Sequence, residues 1–186
     1  MVATTRQGRI AFFLLGLSFL VLPFRALAQV NSNVGNVTLS ADVQQFISVS
    51  PGVATVNFAL LPGNAVTGVP TVPITTSWNI KPGGGPTVTL YAYFDSSTVA
   101  LTDGTDNIPS SDVLGSFNSG AFTAFTQTGP FGAAGASFLL FSEAITGANK
   151  VKTRNDNLDV RIDLTGLPDL PASTYTGTMR IQARAL

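Results

Sequence analysis

The chain has 186 residues, with ten Lys and Arg against ten Asp and Glu and with neither His nor Cys. That length suffices for one domain with a packed core. Hydrophobic residues make up 45% and charged residues 11%, which excludes a disordered chain, because disorder goes with low hydrophobicity and high charge.

The first 28 residues have the anatomy of a secretory signal peptide. Arg6 and Arg9 precede the apolar run IAFFLLGLSFLVL, Pro23 breaks it, and Ala26-Leu27-Ala28 supplies small residues for cleavage. The run is 13 residues long, short for a membrane span. Cleavage after Ala28 leaves residues 29–186 as one domain. Seven basic residues then face ten acidic ones, a net charge of −3. No basic block remains for nucleic acid or anionic lipid, and no membrane span is expected after cleavage. An exported domain without Cys depends on its core alone.

Beyond the signal no stretch reads as a helix. Short alternating segments rich in Thr, Val and Phe, punctuated by Gly, Pro and Asn, predict about eight to ten strands. VTLSADV comes first, with Val37, Leu39, Ala41 and Val43 on one face, and FISVS follows after Gln44-Gln45. ATVNFAL places Val56, Phe58 and Leu60 inward. TVPITTSWNI places Val72, Ile74, Thr76, Trp78 and Ile80 inward, and Pro73 on the other face predicts an edge strand. TVTLYAYFD buries Val88, Leu90, Ala92 and Phe94, with Tyr91 and Tyr93 opposite. LTDGTDNIPSSD reads as a surface loop, and residues 121–145 as two strands about a Gly/Ala-rich connection. NLDVRIDL sets Leu158, Val160, Ile162 and Leu164 against Asp159, Arg161 and Asp163. The last strand runs from Tyr175 to Ala185, with Tyr175, Met179 and Ile181 inward and Arg180, Gln182 and Arg184 outward. We expect it to pair within its own domain.

Reactive chemistry is sparse. Without His and Cys the commonest general base, the thiol nucleophile and the usual zinc ligands are missing. Asp159 and Asp163 share a strand face, but Arg161 between them makes a charge-paired surface the simpler reading. Asp103, Asp106, Asn107 and Asp112 offer oxygen ligands that calcium accepts, yet their spacing fits no EF-hand loop and the same residues form ordinary turns. Phe117, Phe122, Phe125, Phe131, Phe138 and Phe141 are either core or a sticky surface. Trp78 belongs to the core.

LPASTYTGTMRIQA near the end, together with VGNVTLSADVQQFISVSPG after the signal, resembles exported bacterial pilin-like domains of the spore coat protein U type, over Val34 to Leu186. The resemblance implies an immunoglobulin-like sandwich, export to the periplasm or surface, and in some members chaperone-guided assembly into fibres. Two features depart from it. Cysteine is missing, and Ala185 stands where an aromatic is usual. The lead-in LPAST also suits a tyrosine corner, with the Tyr175 hydroxyl bonded to upstream backbone.

The expectation is therefore an all-β, single antiparallel β-sandwich of immunoglobulin or pilin-like type, preceded by a cleavable signal. Its expected role is that of an exported, non-enzymatic structural or surface protein, fimbria-like and assembling by strand exchange. The alternative is a secreted carbohydrate- or ligand-binding module. No cofactor is implied. The partners would be identical subunits or a periplasmic chaperone. Val37, Leu39, Ala41 and Val43 mark a segment that either pairs at home as the first strand or is lent to a neighbour.

Overall fold

A computed structural model describes residues 30–186. The expected signal segment and its cleavage point lie outside the described residues. Residues 30–41 belong to a different unit from Asp42–Leu186. They carry no helix or strand, and Val30, Val34, Val37 and Leu39 are exposed.

The second unit contains β1 (Phe46–Pro51), β2 (Ala65–Thr67), β3 (Val72–Asn79), β4 (Thr87–Tyr93), β5 (Leu101–Thr102), β6 (Asn107–Ile108), β7 (Val113–Phe117), β8 (Thr123–Ala124), β9 (Ser137–Ala144), β10 (Val151–Asp163) and β11 (Arg180–Ala185). Every ladder is antiparallel. The fold is all-β and sandwich-like. A six-stranded sheet runs β1-β3-β10-β7-β8, with β2 also on β10, and a three-stranded sheet runs β11-β4-β9. Their inward rows form one core. Val72, Ile74 and Trp78 of β3 and Leu158, Val160 and Ile162 of β10 meet Val88, Leu90 and Ala92 of β4 and Phe138, Leu140 and Phe141 of β9.

Period-two alternation accounts for most of this. Along β3 the residues Val72, Ile74, Thr76 and Trp78 are buried while those between are not, because successive side chains leave opposite faces of a pleated strand. Adjacent Leu140 and Phe141 in β9 are both buried. The register against β4 slips between Leu90 and Tyr91, so that Leu90 faces Phe141 and Tyr91 faces Leu139. This bulge turns two consecutive residues to the core.

Several expectations need correction. β3 is an inner strand, between β1 and β10, despite Pro73. Pro73 sits where the β1 ladder runs out: its carbonyl accepts from Gly52 N at 2.7 Å. Only the return bond of that last rung is lost, a small cost for a residue with no N–H. The segment 37–43 is not a strand, and the first ladder begins at Phe46. Alternation prepares a segment for a sheet without choosing the partner it pairs with. Residues 54–60 likewise make only a single bridge, Asn57 to Val69. The loop 101–112 contains the β5–β6 hairpin, whose Ile108 is fully buried.

Candidate strand-binding groove

β11 lies at the edge of its sheet. Thr176 exchanges both backbone bonds with Thr102, and Leu186 does so with Thr87. N–H and C=O of one strand residue point the same way, and successive residues alternate. Even-numbered residues of β11 therefore bond toward β4. Ile181, Ala183 and Ala185 turn their N–H and C=O groups outward, as do Tyr175 and Gly177 on either side of Thr176. β1 lies close along β11 without pairing to it, so the outward groups that face open space are those of the lead-in to β11, a template for another strand.

A groove of about 770 Å³ runs between residues 53–60 and residues 173–181, and its floor includes Val72, Phe94, Val113, Val160 and Ile162. All five are less than 6% exposed, so the groove ends on core side chains that are already shielded. Its first wall carries half-buried Val53, Val56, Phe58 and Leu60. That wall stands close, since a Cβ on Gly68 would collide with Val56 and Phe58. Its second wall carries half-buried Tyr175, Met179 and Ile181, as the alternation predicts. The Tyr175 hydroxyl donates to Pro171 O at 3.1 Å, the upstream backbone bond foreseen for it, although the ring is only half-buried. The regular strand is shorter than the expected Tyr175–Ala185, because residues 175–179 leave β4 to bridge the β5–β6 hairpin.

No family model, curated protein or solved structure matches the chain.

The remaining candidates fall elsewhere. Val37, Leu39 and Ala41 of the first unit, and Val43 of the second, are all exposed. Asp103 Oδ1 accepts from the backbone N–H groups of Thr105 at 2.9 Å and Asp106 at 2.8 Å. These bonds, with one from Ser173, hold its carboxyl below the usual range. This is a turn-forming aspartate. Asn107 is exposed on β6, and Asp112 lies on the 3-10 turn after it, where burial raises its carboxyl. Among the described residues no group of three or more His, Cys, Asp or Glu could hold a metal. Asp159 accepts from Thr71 Oγ1, Asp163 from Thr165, and Arg161 lies over Phe122 at 4.1 Å. The two carboxylates are tied to separate partners.

The phenylalanines divide. Phe125, Phe138 and Phe141 are buried, and Phe117 packs 6.3 Å from Phe141. Phe131 stacks on Tyr93 at 5.8 Å and meets the edge of Tyr91 at 6.2 Å, covering the outer face of β4.

A charged corner closes the opposite end of the core. The inward row of β10 begins with Lys152, Arg154 and Asp156 before it turns apolar at Leu158. Glu143 of β9 reaches across to Lys152 Nζ at 2.7 Å and Arg154 Nη1 at 2.9 Å, and Arg154 Nη2 holds Asp156 at 3.0 Å. Arg154 also lies 4.2 Å over the Phe141 ring, and Lys152 lies 5.9 Å from that of Trp78. Desolvation acts to raise the Glu143 carboxyl, but bonds from Lys152, Arg154 and Asn149 bring it down to about 2. Extending the even-numbered alternation upstream from Leu158 would have found this corner. Here the chain covers its core with its own charged side chains. At the groove the apolar walls, Val53, Val56, Phe58 and Leu60 against Tyr175, Met179 and Ile181, stay only half-buried.

Proposed function

We propose that this protein is an exported, non-enzymatic structural or surface subunit of immunoglobulin or pilin-like type, which assembles by strand exchange. One observation carries the reading. A groove that reaches core side chains lies beside residues 173–181, which lead into the edge strand β11, and the same chain carries an alternating segment at 37–43 that is exposed and, among the described residues, in no ladder. An added strand would satisfy the edge through backbone bonds and cover the half-buried walls with alternate side chains. Burying such apolar surface contributes roughly 25 cal/mol per Å². Residues 34–43 of one copy would occupy the groove of the next, and a chaperone strand could hold it beforehand.

The test uses the exported chain and a version lacking residues 29–43. The full chain is expected to form a ladder of oligomers. The shortened chain is expected to stay monomeric and folded, and to bind a synthetic peptide of residues 34–45. A full-length chain that remains monomeric at high concentration, with a truncated form that ignores the peptide, would overturn the proposal.

A further inference from the structure

The groove and the segment that would fill it also carry directional information. The following rests on the strand-exchange reading above. We infer that the incoming strand of a second copy runs parallel to residues 175–181, the lead-in and start of β11, with Val37, Leu39, Ala41 and Val43 beside Tyr175, Gly177, Met179 and Ile181, and with Asp42 beside Arg180.

The span comes first. The core floor lies alongside residues 173–181, not along the far end of β11. Four apolar residues spaced by two cover about 20 Å at roughly 3.3 Å per residue. Tyr175 to Ile181 is the same six-residue step, and Tyr175, Met179 and Ile181 are the residues of that wall that pack against the core. A strand added to the sheet shares its faces. With Val37 through Val43 inward, Thr38, Ser40 and Asp42 share the outer face with Thr176, Thr178 and Arg180.

Charge then selects the direction. Asp42 is the one charged residue between positions 30 and 45. In the parallel arrangement it lies beside Arg180. Arg180 Nε holds Asp95 at 2.9 Å in an exposed pair, and its terminal amino groups remain for a second carboxylate. In the antiparallel arrangement over the same span, Asp42 lies beside Thr176. Thr176 is bridged to Thr102, one residue before the Asp103–Asp106 turn. That neighbourhood is acidic: desolvation, and then the charges of Asp103 and Asp106, raise the Tyr175 hydroxyl. Like charges on neighbouring strands repel and opposite charges attract. Parallel ladders are slightly weaker per residue, so the charges decide the direction.

The chain has no Cys, so paired cysteines report the direction cleanly. Val43→Cys with Ile181→Cys tests the parallel arrangement, and Val37→Cys with Ile181→Cys tests the antiparallel one. Both carry the same change in the groove wall, so any folding defect there is shared. With a short thiol-reactive cross-linker on assembled full-length protein, the first pair is expected to give a covalent ladder and the second only background. A charge exchange supplies the second reading. Asp42→Arg is expected to slow assembly about tenfold, and adding Arg180→Glu to restore most of the rate. A ladder from the Val37 pair would overturn the direction while leaving strand exchange intact. So would assembly in which neither pair links. Wild-type protein that never assembles would overturn strand exchange, and this inference with it.

Discussion

Thr176 and Thr102 exchange both backbone hydrogen bonds, each 2.9 Å long, and this bridge anchors the second wall of the groove to the β5–β6 hairpin. The next residue makes the anchoring tight. A Cβ on Gly177 would overlap the carbonyl oxygen of Ala100, so the two segments meet backbone to backbone, an approach only glycine permits.

Gly177→Ala is therefore expected to push the wall off the hairpin. The overlap is with backbone, which cannot rotate away, so a loss of about 1–3 kcal/mol is expected from the strain. Urea unfolding of the monomeric subunit measures it. Peptide uptake by the groove should weaken in the same variant, since the wall that offers Tyr175 and Ile181 is displaced.

Acid should loosen the charged corner. The Glu143 carboxyl titrates at about 2 in the folded chain against 4.5 ordinarily, and the Asp156 carboxyl is also lowered. A depressed carboxyl contributes stability that is fully present above its unfolded value and is lost as pH falls toward the folded one. The melting temperature is thus expected to be flat above about pH 5 and to fall steadily toward pH 2. Glu143→Gln should flatten much of that fall. Trp78, the one tryptophan, is fully buried, donates to Asn149 O at 2.9 Å and lies near Lys152, so its fluorescence follows the same titration.

Leu39→Asp should separate assembly from stability. Leu39 is 90% exposed, and a surface substitution usually changes stability by less than about 0.5 kcal/mol. The urea midpoint of the subunit is expected to stay in place. Oligomer formation, read by size-exclusion chromatography, should disappear, because a charge at that position would have to enter an apolar slot.

Ile162→Ala should do the reverse. Ile162 is fully buried in β10 and also floors the groove. Removing it should cost about 2–5 kcal/mol, as for large-to-small changes in a packed core. Denaturant unfolding of the monomer measures this. Part of the loss should be recovered when the peptide of residues 34–45 is bound, since a ligand of the folded state raises stability by mass action.

The strands with clean alternation and a buried face, β3, β4 and the second half of β10, were legible because burial imposes a period of two on the residues themselves. Tyr175, Met179 and Ile181 could be placed inward for the same reason. The charged start of β10 was harder to see, because Lys152, Arg154 and Asp156 look like a surface row until Glu143 and the rings of Trp78 and Phe141 are brought against them. Val37, Leu39, Ala41 and Val43 alternate as well as any strand here, yet form none.

Composition and alternation alone thus determined an all-β chain, the inward residues of its main strands, and the scarcity of acid–base and thiol chemistry, since these depend on residue identity and near neighbours in sequence. Only the tertiary structure decided that β3 is interior despite Pro73, that β9 turns Leu140 and Phe141 inward together, that Glu143 closes one corner, and that a groove lies beside the lead-in to β11. Each of these depends on which edges meet in space. Edge pairing joins residues tens of positions apart, and local pattern carries no record of it.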